Sequence, residues 1–154
     1  MELIYMKKFL DACHQAKRIT ELMPKLPERM TPRHIHVIDA LFQLEQKEDS
    51  VKVSDVSGFL GVTRPSITKL LNELESLGAV EKIPDEADRR VTLIRLTEKG
   101  KKYYNFYVEE YQGWLLKQLG EADTEEFMTT VNTIARVYKI VSDQKTAPVF
   151  PGEE

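Results

Sequence analysis

From Thr63 to Asn72 the chain carries two cations, Arg64 and Lys69, no acid, and short hydrogen-bonding side chains at Thr63, Ser66, Thr68 and Asn72. Wound as a helix, this stretch sets Pro65, Thr68, Lys69, Asn72 and Ser76 opposite an apolar side of Ile67, Leu70, Leu71 and Leu74, with Arg64 and Ser66 in the exposed first turn. Such a face suits the major groove of duplex DNA. Arg or Lys pairs with guanine edges and Asn with adenine edges, while hydroxyls and a helix N-terminus hold phosphates. A solvated amphipathic face has the same composition, so a second feature must decide between the two.

That feature follows in the chain. Between Arg89 and Lys102 six cations stand against Glu98 alone, a surplus of five charges in a chain whose formal net charge is -3. Phosphate binding rests on Lys and Arg, so the two basic clusters matter more than the acidic sum. Arg89 and Arg90 lie at the tip of an expected hairpin, where Arg suits a narrow minor groove. Asp85, Glu86 and Asp88 at the same tip would repel phosphate if unpaired. Asp88, two residues before Arg90, is expected to hold and aim its guanidinium through a bidentate pair. A solvated, salt-bridged loop is the competing reading.

The elements that must position these residues have clear punctuation. Met6, Phe9, Leu10, Cys13, Ala16, Thr20 and Met23 predict a first helix from Ile4 to Met23, ended by Pro24 and Pro27. Thr31 with Pro32 starts a second, carrying Ile35, Ile38, Leu41 and Phe42 on one face. Val51 to Val53 form a short β-prone piece, and Ser54 is expected to cap a short helix through Leu60. Gly61 suits the left-handed turn after it. Thr63 caps the next helix, which ends at Gly78, and two helices joined by a short Gly-containing turn form a helix-turn-helix. Val80 to Ile83 and Val91 to Leu96 form a hairpin, a wing. Thr97 caps a long helix with Tyr103, Phe106, Tyr107, Tyr111, Trp114 and Leu115, its aromatics expected in a core or dimer interface. Asp123 with Glu126 starts a last helix with Phe127, Val131, Ile134, Tyr138 and Val141. The expected fold is mainly α with a small β-hairpin wing, in the order α-α-β-α-α-β-β-α-α.

Two segments carry a resemblance. TPRHIHVIDAL is similar to the start of the second helix in the MarR family of winged-helix regulators, with His34 where the family has Gln. DEADRRVTLIRLTEKG is similar to that family's wing signature through Asp88, Arg90, Leu96, Thr97 and Gly100. The order of elements matches from about Leu3 to Val141. The resemblance implies a dimerisation helix over 1–30, a winged helix-turn-helix DNA-binding module over 31–97 and C-terminal dimerisation helices over 98–143. Pro148, Pro151 and Gly152 block regular structure, so a flexible tail is expected over 144–154. The resemblance also implies a homodimer joined through the first and last two helices, on palindromic double-stranded DNA with half-sites about 34 Å apart. Thr63, Arg64, Pro65, Ser66, Thr68, Lys69, Asn72, Asp88, Arg89 and Arg90 are the expected DNA-binding residues. Family members bind small phenolic or lipophilic anions between module and dimer helices, and Arg18, His34 and Tyr111 would suit such an effector. Cys13 lies roughly where thiol sensors of the family carry a reactive cysteine, although its place in an apolar stripe also fits an inert buried thiol.

Other chemistries find little. The sequence shows no Gly-rich phosphate loop, nucleophile elbow or clustered ligand spacing, so neither an enzyme nor a cofactor is expected. His34 and His36 point about 200° apart on a helix and cannot share one ion unaided. No signal sequence or apolar run of bilayer length is present, and a single cysteine fits a reducing compartment, so a cytoplasmic protein without membrane contact is expected. A winged-helix protein-interaction module without specific DNA binding, and a thiol-redox sensor acting through Cys13, stand as alternatives.

Overall fold

Threonines at three helix starts and a left-handed glycine set the boundaries of the central module. The computed structural model describes residues 1–143 and 147–148, so the expected tail over 144–154 lies, apart from 147 and 148, outside the described residues. The elements run α1 (Leu3–Glu21), α2 (Pro32–Glu45), β1 (Val51–Lys52), α3 (Val53–Leu60), α4 (Arg64–Ser76), β2 (Val80–Pro84), β3 (Thr92–Leu96), α5 (Glu98–Tyr104), a π-helical segment (Asn105–Glu110), α6 (Tyr111–Leu119) and α7 (Thr124–Asp143). They fall into two compact units, Met1–Leu115 and Leu116–Glu154. The expected winged helix-turn-helix is therefore present, mainly helical with a small antiparallel sheet.

In the first unit the core is a sandwich around α2. Ile38 and Leu41 are fully buried with Val56 of α3 and Ile67, Leu71 and Leu74 of α4. The apolar stripe expected on α2 is wider than Ile35, Ile38, Leu41 and Phe42, because Val37, Ala40 and Leu44 are buried as well. The helix is covered on more than one side: it packs against α3 and α4, and also against α5 and the π segment. Phe42 stacks on Tyr104 with ring centroids 3.7 Å apart. Burial, reinforced by a 2.6 Å bond donated to Glu109 Oε1, pushes the Tyr104 phenol up to about 12.

The sheet has the order β1-β3-β2, antiparallel throughout. Val80 faces Leu96 and Val51 faces Ile94 across the ladders, and all four are buried. On the other face Glu81 is paired with Arg95 at 2.6 Å. Glu45 reaches from the end of α2 to accept the Leu96 N–H at 2.8 Å, and burial holds its carboxyl above the usual carboxylate range.

Several expectations are corrected. The first helix stops at Glu21, ahead of Pro24, and none of its residues is buried. The short helix starts at Val53 and not after Ser54, because Asp55 turns back to accept the Lys52 N–H at 2.8 Å and so caps one step earlier. The helix begun at Thr97 is not α-helical throughout, since Asn105–Glu110 is wound as a π-helix. Tyr107 is buried as expected, whereas Trp114 is 53% and Phe106 47% exposed in the single chain. The second wing strand begins at Thr92, one residue after the expected Val91. The threonine starts agree: Thr97 Oγ1 accepts the Gly100 N–H at 3.1 Å.

In the second unit, Asp123 Oδ1 accepts the Glu125 N–H at 2.9 Å at the head of α7. Phe127, Val131, Ile134, Tyr138 and Val141 repeat at helical spacing along α7 and are all exposed. No helix among the described residues is long and apolar enough to cross a membrane.

Candidate nucleic-acid interface

The helix α4 is fixed at its start by local chemistry. Gly61 takes φ 64°, the left-handed conformation that closes α3 without a Cβ penalty. Thr63 then caps α4, its Oγ1 accepting from the Ser66 N–H and sharing a 3.0 Å bond with the Ser66 hydroxyl. Ile67, Leu70, Leu71 and Leu74 are buried, so Pro65, Thr68, Lys69 and Asn72 are left exposed, as the helical wheel requires. Arg64 is exposed in the first turn. Neither Arg64 nor Lys69 has an ion pair or hydrogen bond among the described residues, leaving two free cations on one helix.

The wing tip joins β2 to β3. Arg90 Nε and Nη2 donate to the two oxygens of Asp88, both at 3.1 Å, and the Arg90 N–H donates to Asp88 Oδ1 at 3.1 Å. The expected bidentate pair is thus formed. The Arg90 guanidinium and backbone N–H together hold the Asp88 carboxyl below its usual range. Arg90 remains 91% exposed while aimed. Arg89 is exposed and has no partner among the described residues. Asp85 is occupied in the turn, where its Oδ1 accepts the Ala87 N–H at 3.0 Å.

The basic cluster read from Arg89 to Lys102 is smaller in effect than in number. Arg95 pairs with Glu81, Lys101 with Glu98 at 3.1 Å, and Lys99 donates to the Leu77 carbonyl at 2.9 Å. Lys102 is exposed without a partner among the described residues, and at the tip the free charge is Arg89, with Arg90 held beside an acid.

Two residues that the sequence reading passed over, Lys82 and Glu73, tie α4 to other elements. Lys82 of β2 donates to Asn72 Oδ1 and pairs with Glu75 Oε2 at 3.0 Å. Glu73 accepts from His34 Nε2 at 2.7 Å. His34 Nδ1 accepts the Thr31 N–H at 2.9 Å, so Nε2 carries the ring proton and is the donor to Glu73. Ser76 is also occupied, donating to the Glu73 carbonyl at 2.8 Å. A Lys at alternate position on a strand, or an acid on a helix, has no local signature that names a partner ten or forty residues away.

The residues expected for an effector are not brought together as free groups. His34 is buried with both ring nitrogens committed, and the Tyr111 hydroxyl donates to the Leu22 carbonyl at 3.0 Å. Arg18 sits exposed in the last turn of α1. Cys13 is partly exposed, not enclosed in a core. No group of three or more potential metal ligands occurs among the described residues.

Comparison with known proteins agrees with this geometry. The MarR family model matches residues 30–91. The chain is 38% identical over 65 residues to the transcriptional repressor MprA of Escherichia coli K12, covering 42% of this chain and 37% of that protein. It is 27% identical over 97 residues to YdgJ, an uncharacterized HTH-type transcriptional regulator of Bacillus subtilis, covering 63% and 59%. The matches thus span roughly two fifths to three fifths of these curated relatives' own length. Among solved structures, Streptococcus pneumoniae FabT in complex with DNA superposes with a TM-score of 0.67 at 24% identity, covering 94% of this chain and 100% of that one. A MepR-DNA complex of Staphylococcus aureus gives 0.65 at 22%, covering 92% and 98%. Residues 30–91, which hold the helix-turn-helix, β2 and the wing tip, are thus similar to the MarR family, and the chain shares the winged-helix fold of these solved structures.

Proposed function

We propose that the chain is a sequence-specific regulator of transcription that binds double-stranded DNA, acting as a repressor and as a homodimer on a palindromic operator. The observation that carries the reading is charge left over where a groove-binding module needs it. Arg64 and Lys69 on α4 and Arg89 on the wing are unpaired among the described residues, while Arg95 on β3 and Lys101 on α5 are paired with acids. In this reading Arg64, Ser66, Thr68, Lys69 and Asn72 enter a major groove, with Thr63 and Pro65 setting the helix start. Arg90, aimed by Asp88, and Arg89 enter the adjacent minor groove.

The dimer is supported by surface that a single chain leaves uncovered. On α1, Leu3, Ile4, Tyr5 and Leu10 are exposed, and α7 exposes a full apolar stripe. Helices with such stripes bury them against a partner. Two-fold symmetry then places two α4 helices on two half-sites. An effector that altered their separation would lower affinity, since only a ligand with unequal affinity for the two spacings shifts the balance.

The test is selection of tight binders from a randomised duplex pool, followed by fluorescence anisotropy on the enriched and scrambled duplexes across a salt series. Enrichment of an inverted repeat, bound with dimer stoichiometry and strong salt dependence, is expected. An unenriched pool, with no binding at low salt, would refute the reading in favour of a protein-interaction module.

A further inference from the structure

Asn72 faces outward on α4 with part of its hydrogen-bonding already spent. Its carbonyl oxygen accepts from Lys82 Nζ, and an ammonium can only donate. Ordinarily the two ends of an Asn amide are hard to tell apart, but a cation as neighbour fixes which is which. The oxygen is turned toward β2, and the amide NH2 is the end left over. Lys82 is held to this task from three sides. Its Cα partner across the sheet is Ile94, which is buried, so its stem starts on the inner face of the wing. Glu75 Oε2, one helical turn beyond Asn72, takes a second ammonium proton at 3.0 Å. The side chain is only 26% exposed, so the ammonium is neither a free phosphate ligand nor a wandering surface charge.

We infer that Lys82 converts Asn72 into a donor-only reader, so that Asn72 selects a keto base, guanine or thymine, at its position in the major groove and discriminates against adenine and cytosine. This rests on the DNA-binding reading above and deepens it. Bidentate recognition of adenine requires an acceptor for N6–H2 and a donor for N7, whereas guanine offers N7 and O6 as acceptors and thymine offers O4. With its oxygen engaged, Asn72 presents two N–H donors. Guanine N7 and O6, or thymine O4, accept from this NH2 group; adenine N7 also accepts, but adenine N6–H2, like cytosine N4–H2, then faces a donor and loses its water without gaining a partner. Lys82 is thus a positioning residue for specificity, touching Asn72 and no base.

The experiment is parallel selection from the same randomised duplex pool with the full chain and with Lys82→Met, Lys82→Arg, Asn72→Ala and Asn72→Asp, with thermal melting of each to confirm folding. In wild type, one position per half-site should admit G or T and exclude A and C, and Asn72→Ala should erase the preference there alone. Lys82→Met, which keeps the apolar stem, should move that position toward A, changing the A-to-G ratio by about five- to 150-fold, the worth of one bidentate pair. Lys82→Arg, which can still donate to the Asn72 oxygen, should keep the keto preference. Asn72→Asp retains the contact with Lys82 and presents only acceptors, so it should favour the amino bases whether or not Lys82→Met folds. Wild-type preference for A at the position sensitive to Asn72, or an unchanged profile in both Lys82→Met and Asn72→Asp, overturns the inference. If Asn72→Ala alters no position of an enriched motif, the inference falls while DNA binding stands. If wild type enriches nothing, both fall.

Discussion

Gly100→Ala should be among the most damaging single substitutions in the winged module, although it adds one methyl group and improves helix propensity. Gly100 is buried in the first turn of α5. A Cβ built there would run into the Ala79 carbonyl oxygen well inside contact distance, with Leu96 Cδ2 at 3.0 Å and the Ala79 carbonyl carbon at 3.1 Å. To reach ordinary contact, α5 or the Ala79 peptide must move by roughly an ångström. The Ala79 oxygen accepts the Thr97 N–H at 3.1 Å, so the movement also opens the bond that ties the start of α5 to β2. Overpacking costs about 1–3 kcal/mol, and the lost hydrogen bond about 1 kcal/mol more. The gain of Ala over Gly in a helix returns up to about 1 kcal/mol. A net loss of about 1–3 kcal/mol should appear in urea unfolding at fixed protein concentration, as a lower midpoint with an unchanged slope. Gly58→Ala is the control, since a Cβ there meets nothing within 4 Å, and it should stabilise α3 by about 0.5–1 kcal/mol. Gly100→Ala unfolding at or above the wild-type midpoint would refute the close approach.

Arg90→Ala should weaken operator binding roughly tenfold with fold and dimer intact, read by anisotropy. Asp88→Asn should weaken it less, because one oxygen remains to hold Arg90. The Asp88 carboxyl lies below its usual value, so its contribution is fully present above the ordinary carboxylate range and is lost only as pH falls through the lowered value; binding between pH 5 and 8 should owe no pH dependence to it. With Arg64, Lys69 and Arg89 free on each subunit, a dimer should show a log-log salt slope of about -5, and Lys69→Ala should flatten it by about 2. The Glu45 carboxyl is raised by burial, so what it adds to stability is present at low pH and falls as pH rises through its folded value. Glu45→Gln, which still accepts the Leu96 N–H, should melt at or above wild type at pH 7 and converge with it near pH 4, whereas Glu45→Ala should lose about 1–3 kcal/mol.

Features set by residues close in sequence were legible beforehand. Thr63, Thr97 and Gly61 act through backbone groups within a turn of themselves, and Asp88 meets Arg90 two residues on. Long-range pairs were not legible: His34 with Glu73, Lys82 with Asn72 and Glu45 with Leu96 exist only once the fold brings strands and helices together. Asn72 shows the consequence, since a helical wheel identifies it as outward but cannot say which end of its amide is free. The early start of α3 was hidden by a choice between two adjacent caps, Ser54 and Asp55, which local rules scarcely separate. Tyr104 was overlooked because its burial depends on Phe42, far off in the chain.

The π segment acts as a phase shifter within a single rod. Six residues wound at a wider pitch lag an α-helix by about one residue, roughly 100°, with no loop inserted. On an ideal wheel Tyr103, Tyr107 and Trp114 share one stripe; in the wound chain Tyr107 faces the core beside Val108 while Trp114 is turned into the open, stacked on Tyr111 at 5.9 Å. One helix thereby serves two surfaces whose angular offset is set by residue count. Removing one residue between Asn105 and Glu110 would rotate the downstream surface by that same step, a change of geometry that no element boundary would record.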